Sequence, residues 1–387
     1  MYINRNIEKL LIKQLKLFPV VCILGPRQCG KTTLVKNIIK SIKKKVTYLD
    51  LELNTDMEKL SDAQIYLEHR KNECVIIDEV QRLPDVVPLI RALVDQLSRP
   101  GRFILTGSAD PSLIKYTSES LAGRVAYIYL STFNLTEIKS MSSVQKHWLR
   151  GGYPKSFLTG SDPNAFDWID SYITSFIERD LILLGLDVSP VKMRRLWTMI
   201  AHYNGKILNY SEFARNLDLS VVTIQRYFDF LEGAFLITRL YPFYANLKKR
   251  LVKSPKIYIR DSGILHGLLN IRNYNDLQNS PYVGFSWEGY VVEQVRQLIK
   301  KNIQFYYYRT QDGAEIDMVF CKSVNPDFTA EIKYSSAPKL NKGVEIAIND
   351  LKAKKNFIVI PEGDEYIKDK NITVCSLLTF LTNSFTS

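Results

Sequence analysis

The chain has 387 residues, of which 46% are hydrophobic and 24% charged, and it carries a formal net charge of +12. This is longer than one average domain, and the balance supports buried cores while excluding a disordered chain. No apolar run approaches the roughly 20 residues that span a bilayer. The opening Met1-Tyr2-Ile3-Asn4-Arg5-Asn6 leads into a charged amphipathic stretch, not a secretory core. The five cysteines and four histidines are scattered without metal-ligand spacing, which argues against a zinc site and for a reduced, cytoplasmic protein with no membrane partner.

Ile7, Leu10, Leu11 and Leu15 fall at helical spacing, so a short helix opens the fold. Short apolar runs follow at Val20–Leu24, Val46–Leu51, Cys74–Ile77, Phe103–Thr106 and Ala126–Leu130, with turn or helical segments between them. Such runs alternating with helices predict an α/β unit with a mostly parallel sheet buried on both faces, spanning residues 1–131. Residues 132–201 read as helical, broken by Gly151-Gly152-Tyr153-Pro154 and Ser161-Asp162-Pro163-Asn164. In residues 202–270 the pattern is helix (Ser211–Leu217), turn with Ser220 as N-cap, helix (Val221–Leu231) and hairpin (Phe235–Tyr241 with Lys256–Ile259), a winged-helix layout. The last segment, 281–387, opens with a helix over Ser286–Lys300. Strands at Gln304–Arg309, Ala314–Phe320 and Thr329–Lys333 follow, the first two joined by a turn at Gln311-Asp312-Gly313.

Gly25-Pro26-Arg27-Gln28-Cys29-Gly30-Lys31-Thr32 matches G-x-x-x-x-G-K-[ST] between an apolar strand and a helix predicted over Thr33–Ile42. Glycines let the backbone amides curl toward phosphates, and the helix N-terminus at Thr33 adds favourable partial charge. Lys31 is expected to reach the β- and γ-phosphates of ATP, and the Thr32 hydroxyl to ligate Mg²⁺. A second element, Cys74-Val75-Ile76-Ile77-Asp78-Glu79, is an apolar strand ending in two carboxylates. Asp78 is the expected Mg²⁺ partner and Glu79 the group that polarises the attacking water. Phe103-Ile104-Leu105-Thr106-Gly107-Ser108 ends in small hydroxyls, and a place between the other two strands would bring Thr106 or Ser108 to that water. An ordinary strand-end cap is the alternative. Arg124, after Gly123 and before a strand, fits either an arginine finger for a neighbouring subunit or a structural pair with a carboxylate.

The segments GPRQCGKTTL (Gly25–Leu34), IIDEVQRLP (Ile76–Pro84), ILTGS (Ile104–Ser108) and LAGRV (Leu121–Val125) closely resemble a widespread prokaryotic group of AAA-like ATPases. Gly151-Gly152-Tyr153-Pro154 and Glu178-Arg179-Asp180 are similar to that group's helical segment. The resemblance covers almost the whole chain. It implies an ASCE-type P-loop core with Glu79 as catalytic carboxylate, a role for Arg124 in trans, and hence a homo-oligomer.

In the C-terminal segment, Asp317 on one strand and Glu331-Ile332-Lys333 on the next resemble the D…(D/E)-x-K pattern of the PD-(D/E)XK nuclease superfamily, with Glu288 as a further acid. This implies a restriction-endonuclease-like α/β domain in which two carboxylates bind Mg²⁺ and Lys333 activates water. The Pro-Asp pair of that pattern is missing, and a degenerate domain that only binds is the competing reading. Thr223, Gln225 and Arg226 face outward on the second winged helix, and Lys248-Lys249-Arg250 form its wing. With the basic charge, they suggest double-stranded DNA as partner; an internal lid is the alternative. Tyr306-Tyr307-Tyr308 can stack bases, although an aromatic strand is more often sheet core. The combined expectation is a DNA-associated ATPase that moves its winged-helix and nuclease-like segments. The alternative is a regulatory or defence switch that binds a protein partner.

Overall fold

The computed structural model describes residues 2–108, 121–181, 188–244, 251–369 and 371–385, with Ser108, Arg179 and Asp180 described by main chain only. Two units emerge: Met1–Phe133 with Gly233–Phe235, and Asn134–Glu232 with Leu236–Ser387. The helical, winged-helix and C-terminal segments of the sequence reading lie together in the second unit.

The first unit is built on strands β1 (Val20–Gly25), β2 (Val46–Asp50), β3 (Cys74–Asp78), β4 (Phe103–Ser108) and β5 (Val125–Tyr129). They form one parallel sheet in the order β2-β3-β4-β1-β5. Every residue of β1 and β3 is buried, because both faces are covered. Val20, Cys22 and Leu24 enter one core with Val75, Ile77 and Leu105, while Val21 and Ile23 enter the other with Ile76 and Ile104. The two-residue period thus divides an unbroken apolar run between two cores. Strand β4 sits between β3 and β1 and sets Ile23 beside Thr106 and Gly25 beside Ser108. The helix after β1 starts at Lys31, two residues earlier than expected, because Gly30 in the left-handed region (φ 100°) launches it. It ends at Ile38 and passes into a 3-10 turn, Ile39–Ser41, before the lysine run.

The second unit has helices at Val144–Arg150, Pro154–Phe157, Asp162–Ser175, Pro190–His202, Tyr210–Leu217, Val221–Gly233, Ser262–Leu268 and Val283–Leu298, among others. A π-helical turn, Phe176–Asp180, holds Glu178-Arg179-Asp180. Strands β6 (Ile237–Leu240) and β7 (Lys256–Ile259) pair antiparallel. A mixed sheet contains β8 (Gln304–Arg309), β9 (Glu315–Cys321), β10 (Pro326–Ile332), β11 (Lys355–Ile360), β12 (Tyr366–Asp369) and β13 (Ile372–Ser376), in the order β12-β13-β11-β10-β9-β8. Three of its strands were anticipated from the sequence; β11, β12 and β13 were not. Tyr307 and Tyr308 are buried in this sheet, while Tyr306 lies partly exposed.

The Gly151-Gly152 turn has a physical cause. Gly151 adopts φ 73°, and a Cβ there would lie 2.1 Å from Asp261 Oδ1. Asp261 is buried, accepts from Gly152 N at 2.9 Å, and caps the Ser262–Leu268 helix through Ile264 N at 3.1 Å. One carboxylate therefore ties the turn to a helix start. Replacing Gly151 by Ala should cost about 3 kcal/mol through left-handed strain and steric overlap. The fall should be visible as a lower urea midpoint; an unchanged midpoint would refute this account of the turn.

Candidate functional site

The loop from Gly25 to Thr33 leaves the C-terminal end of β1, where parallel strands leave a crevice for ligands. A Cβ on Gly25 would lie 2.1 Å from the Leu130 carbonyl oxygen, so only glycine lets the loop pass. Gln28 (φ 61°) and Gly30 (φ 100°) both adopt left-handed backbone, which curls the loop. Lys31 is buried within it and donates to the carbonyls of Gly25 at 3.1 Å and Pro26 at 3.0 Å. Cys29 is also buried, and burial pushes its thiol pKa up.

Sequence reasoning missed Arg5. Its guanidinium donates to Cys29 O in the loop at 3.2 Å, and to Ser131 O at 2.7 Å and Thr132 O at 3.0 Å just past β5. It also lies 5.0 Å from the Phe133 ring centroid. Only its proximity to the opening helix hinted at order, and nothing in the residue pattern named this partner.

Asp78, 1% exposed at the end of β3, gathers the acidic half of the site. Its Oδ2 accepts from the Thr32 hydroxyl at 2.7 Å and from the Tyr48 hydroxyl, and its Oδ1 accepts from Thr106. Burial, then Asp78 itself, raises the Tyr48 hydroxyl pKa well above its ordinary value. Tyr48 was not foreseen; it stands on β2, two residues before Asp50, which is paired with Asp78. On β4, Thr106 meets Asp78 and also accepts from Glu79 N at 3.3 Å. The Ser108 side chain lies outside the described residues. Glu79 adopts φ 57°, so the chain reverses at once into the turn Val80–Arg82, and Gln81 Nε2 donates to Glu79 Oε2. A hydroxyl and a carboxylate side by side at Thr32 and Asp78 are hard oxygen donors of the kind Mg²⁺ takes.

Within the chain, Arg124 is paired with Asp95. Nη2 donates to Asp95 Oδ2 at 3.0 Å, Nε to the other Asp95 oxygen, and Nη1 to Ala122 O at 2.8 Å. The Arg124 carbonyl accepts from Val20 N, at the start of β1. The arginine therefore lies at the opposite end of β1 from the loop, about 17 Å away at the rise of an extended strand.

In the second unit, the acids expected from the sequence share one neighbourhood, with an unforeseen occupant. Lys256 Nζ lies 2.8 Å from Glu288 Oε1, 2.9 Å from Glu315 Oε1 and 3.2 Å from Asp317 Oδ1. Tyr258, two residues on along β7, donates to the same Glu288 oxygen at 2.7 Å. Asp317 Oδ2 accepts from Ile332 N at 2.9 Å, and Glu331 Oε1 pairs with Lys333 at 2.6 Å. Of the expected pair of metal-binding carboxylates, Asp317 has the in-chain Lys256 ammonium against it and Glu331 has Lys333. Among the described residues no group of three His, Cys, Asp or Glu is placed to hold a metal ion. A lone lysine at the head of the apolar run Lys256-Ile257-Tyr258-Ile259 was the available signal, since Lys256 and Tyr258 share a strand face. Arg226 is exposed on its helix, whereas Lys248, Lys249 and Arg250 lie outside the described residues. Among the described residues no helix is long and apolar enough to cross a membrane.

A parallel sheet with a phosphate-type loop on β1 and an acidic β3 defines an AAA-like P-loop protein. Residues 17–139 match the family described as AAA domain, while 141–275 and 283–380 match domains of unknown function, DUF8612 and DUF4143. An uncharacterized protein of Mycobacterium tuberculosis is 42% identical over 358 residues, covering 92% of this chain and 80% of the relative; one from Mycobacterium bovis matches equally. The chain belongs to the family of these AAA-domain proteins. Among solved structures, the Walker-type ATPase of Pyrococcus abyssi is similar at 17% identity and a TM-score of 0.48, over 69% of this chain and 96% of that one.

The acid cluster generates a pH dependence. Burial, then Asp317, raises the Glu331 carboxyl from 4.5 to about 8, with Lys333 and Lys256 opposing. Burial raises Glu288 to about 7 despite the Lys256 ammonium. A carboxyl raised on folding holds its proton in the native state, so its stabilising contribution is full below the unfolded value and is lost as pH rises through the folded one. Stability should fall between about pH 4.5 and about pH 8 on account of these groups, and Glu331→Gln should flatten that slope. Urea midpoints at about pH 5 and about pH 9 test this; equal slopes in both proteins would contradict it.

Proposed function

We propose that the chain binds ATP with Mg²⁺, hydrolyses it, and uses the cycle to reposition its second unit. The observation that carries this reading is the meeting of the Thr32 hydroxyl with the buried Asp78 carboxylate at 2.7 Å, beside the curled loop. The amides of residues 26–33 and the Lys31 ammonium would grip the β- and γ-phosphates. Thr32 and Asp78 would hold Mg²⁺, which when bound neutralises charge on those phosphates. Thr106 fixes the second Asp78 oxygen and receives the Glu79 amide, so it orients both acids. Glu79 would accept a hydrogen bond from the attacking water and draw off its proton.

Support for coupling comes from Arg5, which spans the loop carbonyl of Cys29 and the carbonyls of Ser131 and Thr132, just before Phe133, where this stretch of the first unit ends. A shift of the loop on phosphate binding or release would be felt there. Arg124 is too far from its own loop to touch its nucleotide. A role at a neighbouring subunit's phosphate, in a homo-oligomer, would require it to leave Asp95.

On purified protein, Lys31→Ala should lower Mg-ATP affinity by at least about tenfold, through loss of a charge-assisted contact. Glu79→Gln should keep that affinity and lower turnover by about 10²–10⁴-fold, the range for a lost general base. Wild-type turnover in Glu79→Gln would remove Glu79 from its role. Absence of Mg-ATP binding by calorimetry would remove the reading altogether.

For the second unit, Lys256 among Glu288, Glu315 and Asp317 supports a nuclease-like domain that binds without cutting. Duplex DNA is the partner favoured by the exposed Gln225 and Arg226 on the Val221–Gly233 helix and by the net charge of +12. Log affinity for DNA should then fall steeply with log salt, with no cleavage in Mg²⁺. A flat salt response would instead support the protein-partner switch.

A further inference from the structure

Glu79 and Gln81 meet because of an unusual backbone feature. Glu79 is one of six described non-glycine residues with positive φ, and its φ of 57° folds the chain so that residues 79 and 81 point the same way. Gln81 Nε2 is committed to Glu79 Oε2. The other end of the same carboxamide, Gln81 Oε1, is buried and has no hydrogen-bond partner. A buried acceptor left without a donor is rare in a folded chain, and it signals an absent water or ligand hydrogen. This acceptor stands beside the carboxylate assigned to the attacking water.

We propose that Gln81 is a second orienting group for that water: Nε2 fixes the Glu79 carboxylate, and Oε1 accepts the hydrogen of the water that Glu79 does not take. The inference rests on the hydrolytic reading of this site. In the step, a lone pair of the water oxygen forms the bond to the γ-phosphorus as the bond to the β,γ-bridging oxygen breaks, and that electron pair stays on ADP. One water proton passes to Glu79 and then to solvent; the other, held toward Gln81, remains on the phosphate product. Two acceptors at one water fix the direction of its lone pair, which a single carboxylate does not.

The test compares wild type, Gln81→Met, Gln81→Leu, Glu79→Gln and the double variant Glu79→Gln/Gln81→Met, each measured for Mg-ATP affinity, steady-state kcat and KM, and thermal midpoint. Methionine keeps the side-chain volume and removes both hydrogen-bonding ends. The expected result is a fall in kcat of about 10–100-fold in both single Gln81 variants, with KM, affinity and midpoint near wild type. The double variant should be no slower than Glu79→Gln within about threefold, because both groups act on one water. A Gln81→Met kcat within about twofold of wild type, while Glu79→Gln is crippled, would overturn the proposal and leave the hydrolytic reading standing. Loss of affinity or fold in step with kcat in both Gln81 variants would make the role structural and overturn it as well. Glu79→Gln turning over at the wild-type rate would instead remove the hydrolytic reading, and this inference with it.

Discussion

A buried carboxylate is the constraint on which the first unit turns. Taking the Asp78 side chain out of water is costly unless its oxygens find donors. Three hydroxyls supply them: Thr32 from the helix after the loop, Tyr48 from β2 and Thr106 from β4. Each comes from a different element, so satisfying one side chain fixes the mutual register of the loop helix and three strands. The strand order follows the same logic. With β4 between β3 and β1, Thr106 has Ile23 as its neighbour on one side and reaches Asp78 on the other. A sheet wound otherwise would leave the carboxylate short of donors.

This half of the molecule was largely legible in the sequence, because its signals are local. The loop motif, the apolar run ending in two acids and the hydroxyl-tipped strand each occupy a few consecutive residues. Parallel pairing buries both faces of β1 and β3, which is why those two strands announced themselves as apolar runs. The missed contributors, Arg5, Tyr48 and Gln81, act across distance or through one backbone reversal. Arg5 reaches carbonyls 24 and 126 positions away, and carbonyls carry no sequence signature. Gln81 is two residues from Glu79, yet the two meet only because Glu79 takes a left-handed conformation that no residue type there required.

The second unit was read less completely for a related reason. Strand β12 is exposed throughout and shows no apolar run, whereas β11 carries one, Phe357-Ile358-Val359-Ile360, that the sequence reading passed over. The Val221–Gly233 helix was easier, since Ile224, Tyr227, Phe228 and Leu231 recur at helical spacing and are all buried. The Gly151-Gly152-Tyr153-Pro154 segment was visible only as a turn. Its partner, Asp261, lies 109 residues away at a helix start, and that pairing explains why a side chain has no room at Gly151.

Lys256 shows how acids picked out in the sequence can gather around a charge that was not. Acids on a helix and two strands still converge, as the residue types at Glu288, Asp317 and Glu331 suggested. Converging carboxylates repel and need positive charge at short range. An ammonium provides one charge and three donors, and here Glu288, Glu315 and Asp317 surround it. Its three N–H donors reach one oxygen of each of these acids, so a single side chain supplies both charge and hydrogen bonds to the cluster. It also belongs to β7, which ties the β6–β7 hairpin to the β9 acids of the mixed sheet. The positive charge is built into the chain, and the cluster is a clamp between two parts of one unit.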